Sequence, residues 1–184
     1  MEYRNLLKNN LSRQLIDNVA LSVYDNISDF QIVYNLIFDD DKKVAWRAAW
    51  ACEKMIQKFP EFVDDNKKEQ LISLAISTNH PGLHRLSLSI LNSLSFGNSI
   101  PVELLNSCFE WISSDKQTIA VQALSLKLLL KFCIIEPDLK QELIAYLTNI
   151  DLNNLSPGMV STCRNALKQL NKNHLHSTVY KYKL

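Results

Sequence analysis

Glycine occurs 3 times and proline 5 times in a chain of 184 residues. All-β domains need many turns whose dihedrals favour glycine, so this scarcity excludes an all-β fold and makes helix the expectation. Charge of one sign is also missing: 20 basic and 19 acidic residues leave a net charge of +1. A nucleic-acid binder supplies a lysine or arginine for each phosphate contact and carries a basic excess, so that class is demoted. Long apolar runs are absent. Leu128–Leu130 and Cys133–Ile135 are interrupted by Lys127 and Lys131. Nothing approaches the ~20 apolar residues that span a bilayer. Residues 1–10 carry Glu2, Arg4 and Lys8 without an apolar stretch, so they do not read as a signal peptide. The expectation is a cytoplasmic protein without membrane contact. Cys52, Cys108, Cys133 and Cys163 are widely spaced and form no CxxC, which suits buried reduced thiols better than a disulfide framework.

What is present fits a soluble helical protein. Apolar residues make up 47% and charged residues 21%. Breaks recur at Asp39–Asp41, Pro60, Asn79–Gly82, Gly97–Pro101, Ser113–Asp115, Pro137 and Ser156–Gly158. The runs between them have apolar residues at i, i+3, i+4 and i+7, the spacing of one helix face. Asp41 and Ser156 stand where N-caps belong, and Pro81, Pro101 and Pro157 where a first-turn proline is harmless. The predicted helices come in pairs: 28–38 with 41–58, 66–78 with 81–95, 101–113 with 116–134, and 138–149 with 157–171. Residues 3–24 add one or two more.

Aligning the second helix of each pair reveals a repeat. With anchors at Val44, Leu83, Ile119 and Met159, the spacings are 39, 36 and 40 residues. Four past each anchor is a small residue: Ala48, Ser87, Ala123, Cys163. Seven and eleven past are apolar: Ala51 and Met55, Ile90 and Leu94, Leu126 and Leu130, Ala166 and Leu170. This is one helical stripe, with a small residue where a partner helix approaches. In the first helices, seven and eleven before the anchor, stand Ile37 and Val33, Ile76 and Ile72, Ile112 and Cys108.

On these residues the chain resembles the HEAT-like, or armadillo-type, family of α-solenoids, whose helix pairs repeat every ~40 residues. The segment Asp41-Lys-Lys-Val44-Ala-Trp-Arg47-Ala48-Ala49-Trp-Ala-Cys-Glu-Lys-Met55 is similar to that family's second helix, with Asp, then Val, then an Arg and small residues. The other units have Leu86, Gln122 and Thr162 in place of the Arg. The resemblance implies an all-α fold: a right-handed α-α superhelix of about four helix pairs with second helices lining a concave face. The domain reading is a single unit over 1–184, with an N-terminal cap at 1–26, repeats at 27–171 and a tail at 172–184.

Two, six and nine past the anchors lie positions that point away from the core stripe. They are Trp46, Trp50 and Glu53, then Arg85, Ser89 and Asn92, then Val121, Ser125 and Leu128, then Ser161, Asn165 and Lys168. The candidate partner-binding set is Trp46, Arg47, Trp50, Arg85, Ser89, Asn92, Ser125, Asn165 and Lys168. An indole supplies apolar area and one donor, and arginine can grip a carboxylate or phosphate through two bonds. A competing reading packs Trp46 and Trp50 against an N-terminal helix at 11–24 and pairs Arg47 with Asp40 or Asp41. His80 and His84 lack the further ligands that zinc needs, so His80 reads as a loop or N-cap residue. No catalytic residue, metal or cofactor is assigned, because no GxSxG, HExxH or glycine-rich phosphate loop occurs. From Arg164 to the end there is no acidic residue, and Val179-Tyr-Lys-Tyr-Lys183 interleaves aromatics with lysines.

The leading functional expectation is a non-catalytic scaffold that binds an unidentified protein or peptide. One alternative comes from a second resemblance: a family of DNA-alkylation-repair glycosylases is also built from HEAT-like repeats. That family implies a basic groove, aromatics and a catalytic carboxylate. No Asp motif of this chain aligns with it residue by residue. A further alternative is a small accessory subunit without a site of its own.

Overall fold

Several helices of this chain start where a polar side chain can take up exposed backbone N–H groups. Asp41 accepts from Lys43 N–H, Asp64 and Thr118 accept from the residue three ahead, and Ser156 Oγ accepts from Met159 N–H at 3.2 Å. His80 serves the same purpose through Nδ1, which accepts from Leu83 N–H at 3.1 Å. A computed structural model describes residues 2–9, 12–23 and 26–179, with side chains to residue 172 except Ile27. Among the described residues there are ten α-helices and no strand. They are α1 (Tyr3–Asn9), α2 (Arg13–Val23), α3 (Ile27–Asn35), α4 (Lys42–Ile56), α5 (Asp65–Ser77), α6 (Pro81–Ser93), α7 (Val102–Ser113), α8 (Ile119–Ile135), α9 (Leu139–Asn149) and α10 (Pro157–Val179).

The chain groups into two compact units, Met1–Ser95 and Phe96–Leu184. In the first, α3 packs on α4 and α5 on α6, while α4 also meets α6, α1 and α2. In the second, α7 packs on α8 and α9 on α10, and α8 meets α10. Each pair therefore folds as the sequence pattern predicts.

The buried stripes fix the register of the repeat and correct it in one place. Val44, Ala48, Ala51 and Met55 are fully buried, and Leu83, Ser87, Ile90 and Leu94 nearly so. Ile119, the predicted third anchor, is 53% exposed, whereas Val121 is 1% exposed. The stripe of α8 is Val121, Ser125, Leu128 and Phe132, all buried. The true anchors are Val44, Leu83, Val121 and Met159, spaced by 39, 38 and 38 residues. The small residues become Ala48, Ser87, Ser125 and Cys163. Ser87 Oγ donates to Leu83 O and Ser125 Oγ to Val121 O, so each buried hydroxyl is satisfied by the anchor of its own helix. The first-helix stripe also needs one correction. Ile76 is 37% exposed and Ile72 only partly buried, because the buried residues of α5 are Leu71 and Ala75.

Candidate partner-binding face

α4 turns its fully buried stripes toward its neighbours and leaves Trp46, Trp50 and Glu53 partly exposed. These residues recur at i, i+4 and i+7, so they form one strip along the helix. The indoles of Trp46 and Trp50 stack with centroids 6.1 Å apart and planes 24° from parallel. Trp46 also meets the His80 ring at 6.4 Å. A Cβ at Gly82 would stand 2.7 Å from Trp46 Nε1, so only glycine lets α6 begin this close to the indole. Trp46 therefore packs against the turn into α6, a contact that the competing N-terminal-helix reading did not anticipate. Arg85, at the start of α6, brings Nη1 to 3.9 Å from Glu53 Oε1. Its side chain keeps 40% of its surface, against 12% for Glu53. Ser89 and Asn92 continue the strip on α6, half-buried. Asn92 spends one N–H on Leu88 O.

Two predicted site residues are engaged inside the fold. Arg47 lies one step round α4 and reaches α1, where Nη1 donates to Leu7 O at 2.5 Å and to Lys8 O at 3.0 Å. These are carbonyls of a helix C-terminus, which lack donors within the helix and attract positive charge. Arg47 is thus a cap for α1. The acidic run beside it is met from α1 instead, Asp39 by Arg4 at 2.6 Å and Asp41 by Lys8 at 3.9 Å. Ser125 is fully buried and bonded within α8, so it offers nothing to a partner. With the corrected anchor, the outward residues of α8 are Ala123, Lys127 and Leu130. Sequence reasoning missed Lys127. Its signal was Thr118, which precedes Val121 by the same three residues as Asp41 precedes Val44. Asn165 and Lys168 are exposed on α10, in the second unit. The side chains of His174 and His176 and the Val179–Lys183 motif lie outside the described residues.

Among the described residues the cysteines and the buried histidine are held in their uncharged forms. Burial pushes the Cys108 thiol up to about 12 and that of Cys133 to about 11, and raises Cys52 and Cys163 as well, which disfavours the nucleophilic thiolate. His84 is buried in α6, and burial holds its imidazole below the ordinary histidine value. Among the described residues no helix is long and apolar enough to cross a membrane.

A family model described as a HEAT repeat domain matches residues 3–170. The chain belongs to the HEAT repeat family. No curated protein matches it, and no solved structure does. Membership covers the N-terminal helices α1 and α2 as well as the four pairs.

Proposed function

We propose that this HEAT repeat protein is a non-catalytic scaffold that binds a protein or peptide through the outward strip of α4 and α6. One observation carries the reading: a stacked, partly exposed Trp46–Trp50 pair beside a half-exposed Arg85. Tryptophan and arginine dominate interaction hot spots because they bring large area and fixed donors. The fold holds Trp46 against Gly82 and His80 and leaves part of each indole open to solvent. Glu53 balances Arg85, and Arg47 is committed to α1, so the strip has no cationic excess for a nucleic-acid backbone.

The test uses the double variant Trp50→Ala/Arg85→Ala, because Trp46 is tied to Gly82 and His80. Wild type and variant, each checked by circular dichroism and urea unfolding, are used to capture proteins from a lysate of the source cells with and without nuclease treatment. A specific protein is expected to be retained by wild type, and its measured affinity to fall at least about 30-fold in the folded variant. Equal retention by the variant refutes the assignment of the face. Capture that disappears with nuclease refutes the protein-binding reading and favours the repair-type alternative.

A further inference from the structure

Near-neutral net charge conceals a segregation inside the second unit. Its first helices carry acids, Glu103 and Glu110 on α7 and Glu142 beside Lys140 on α9, and its connections carry Asp115, Glu136, Asp138 and Asp151. Its second helices carry none: neither α8 nor α10 contains a single aspartate or glutamate. They hold Lys127 and Lys131 on α8, and Arg164, Lys168 and Lys172 on α10. The two helices pack on each other.

Their spacing places like charges together. Lys127 and Lys131 are i, i+4, and so are Arg164 and Lys168, and Lys168 and Lys172. Such pairs repel on a helix surface, by ~0.2–0.5 kcal/mol each. Lys131 eases its position by lying over the Phe96 ring at 5.6 Å. Lys127, Arg164, Lys168 and Lys172 are exposed, and among the described residues no ion pair engages them. In the first unit, by contrast, Arg4, Lys54, Lys67 and Lys68 all meet carboxylates within 3 Å. No ion pair among the described residues therefore draws on Lys127, Arg164, Lys168 or Lys172, and their repulsion acts against the fold.

We propose that the outward face of α8 and α10 docks an acidic peptide segment of a partner protein, with carboxylates matched to Lys127, Lys168 and Lys172 and an apolar side chain set against Leu130 and Ile134. Charge complementarity names the sign of the partner. The rest of the face names its class. Ile134 is 78% exposed and follows Lys127 by seven residues, which puts an apolar foothold on the same side of α8 as the lysines. A phosphate backbone has no use for one. Among the described side chains of α8 and α10 the one aromatic ring is that of Phe132, fully buried, so none of them offers a ring for a base to stack on. Lysines outnumber the lone Arg164, which does not suit the bidentate grip on phosphate that arginine provides. Geometry is also compatible with an extended chain. Helix residues i and i+4 are separated by ~6 Å along the axis. Alternate residues of a strand are ~6.6 Å apart.

This proposal does not depend on the α4–α6 strip, and the experiment separates them. The probe is a short fluorescein-labelled peptide with glutamate at every second position and leucine or serine between, read by anisotropy at low salt. Its glutamine counterpart and an unlabelled oligothymidylate of equal length are the controls. The full chain is compared with Lys127→Glu/Lys168→Glu, with the milder Lys127→Gln/Lys168→Gln, with Lys42→Glu/Lys43→Glu on the first unit, and with Trp50→Ala/Arg85→Ala. Saturable binding of the glutamate peptide is expected for wild type and for the last two variants. It should weaken about tenfold in the charge reversal and by less in the glutamine variant, both with unchanged circular dichroism. The glutamine peptide should not bind. No binding by wild type, binding by the reversal within about twofold of wild type, or equal binding of the glutamine peptide would overturn the proposal. So would oligothymidylate displacing the probe at lower concentration than the unlabelled peptide, which would make the face a nucleic-acid surface.

Discussion

Arg47→Ala should destabilise the first unit by about 2–3 kcal/mol and leave the α4–α6 strip intact. The magnitude follows from what the guanidinium touches. Its bond to Leu7 O is part-buried, and its bond to Lys8 O is exposed. A hydrogen bond from a charged donor contributes ~1.5–3 kcal/mol, and water recovers most of the exposed one. Removing positive charge from a helix C-terminus adds ~0.3–1 kcal/mol. The loss is concentrated on α1, whose Tyr3 and Leu7 are buried only while it stays docked on α4. Urea unfolding with m near ~2 kcal/mol/M should show the midpoint falling by about 1 M. Amide exchange in α1 should accelerate well before that in α8. Arg47→Lys keeps the charge but loses the fork, so it should fall between the two. If Arg47→Ala leaves the midpoint within about 0.2 M of wild type, with α1 exchange unchanged and partner binding lost, the capping argument is wrong. Arg47 would then belong on the interaction face.

The corrected register makes a paired prediction. Leu128→Ala should reduce stability by ~2–5 kcal/mol in urea unfolding, and Ile119→Ala by under ~0.5 kcal/mol; the reverse order would restore Ile119 as anchor. His84 makes another, through pH. Because burial lowers its folded pKa, the unfolded chain takes up a proton first as pH falls below about 6.5, so stability declines from there down to the folded value. His84→Gln should flatten the urea midpoint between about pH 6.5 and 5, and an unchanged slope would refute the assignment.

The helix pairs were legible because breaks and caps are local chemistry. Asp41, Ser156 and Pro81 act on their own first turns, and their residue types announce it. The phase of α8 was not legible from periodicity. Its sequence, IAVQALSLKLLLKFCII, is apolar almost all round, so Ile119 and Val121 both start an acceptable stripe. What decides between them is the Thr118 cap and the fixed offset from cap to anchor that the other units share. Arg47 escaped for a different reason. Its partners are backbone carbonyls of α1, and a carbonyl acceptor leaves no mark in sequence. Trp46 met the same limit, since its neighbour across the turn is the absence of a side chain at Gly82.

The residues left for function are those whose chemistry the fold does not consume. Arg47 looked like a recognition residue beside two tryptophans, and α1 uses it. Lys54 sits a short step from Glu53, yet it closes a 2.7 Å pair with Asp17 on α2. Arg85 is different: its pair with Glu53 is 3.9 Å long, too long for a hydrogen bond, and much of its side chain faces water. Lys127, Arg164, Lys168 and Lys172 go further, because they repel their own helix neighbours and among the described residues no ion pair engages them. A charge that opposes folding persists only if something outside the fold rewards it, or if the repulsion is too small to be removed by selection. The charge-reversal experiment separates those cases. Under the second, Lys127→Glu/Lys168→Glu would stabilise the unit slightly and change no binding. Under the first, the same slight stabilisation would come with the loss of an acidic partner.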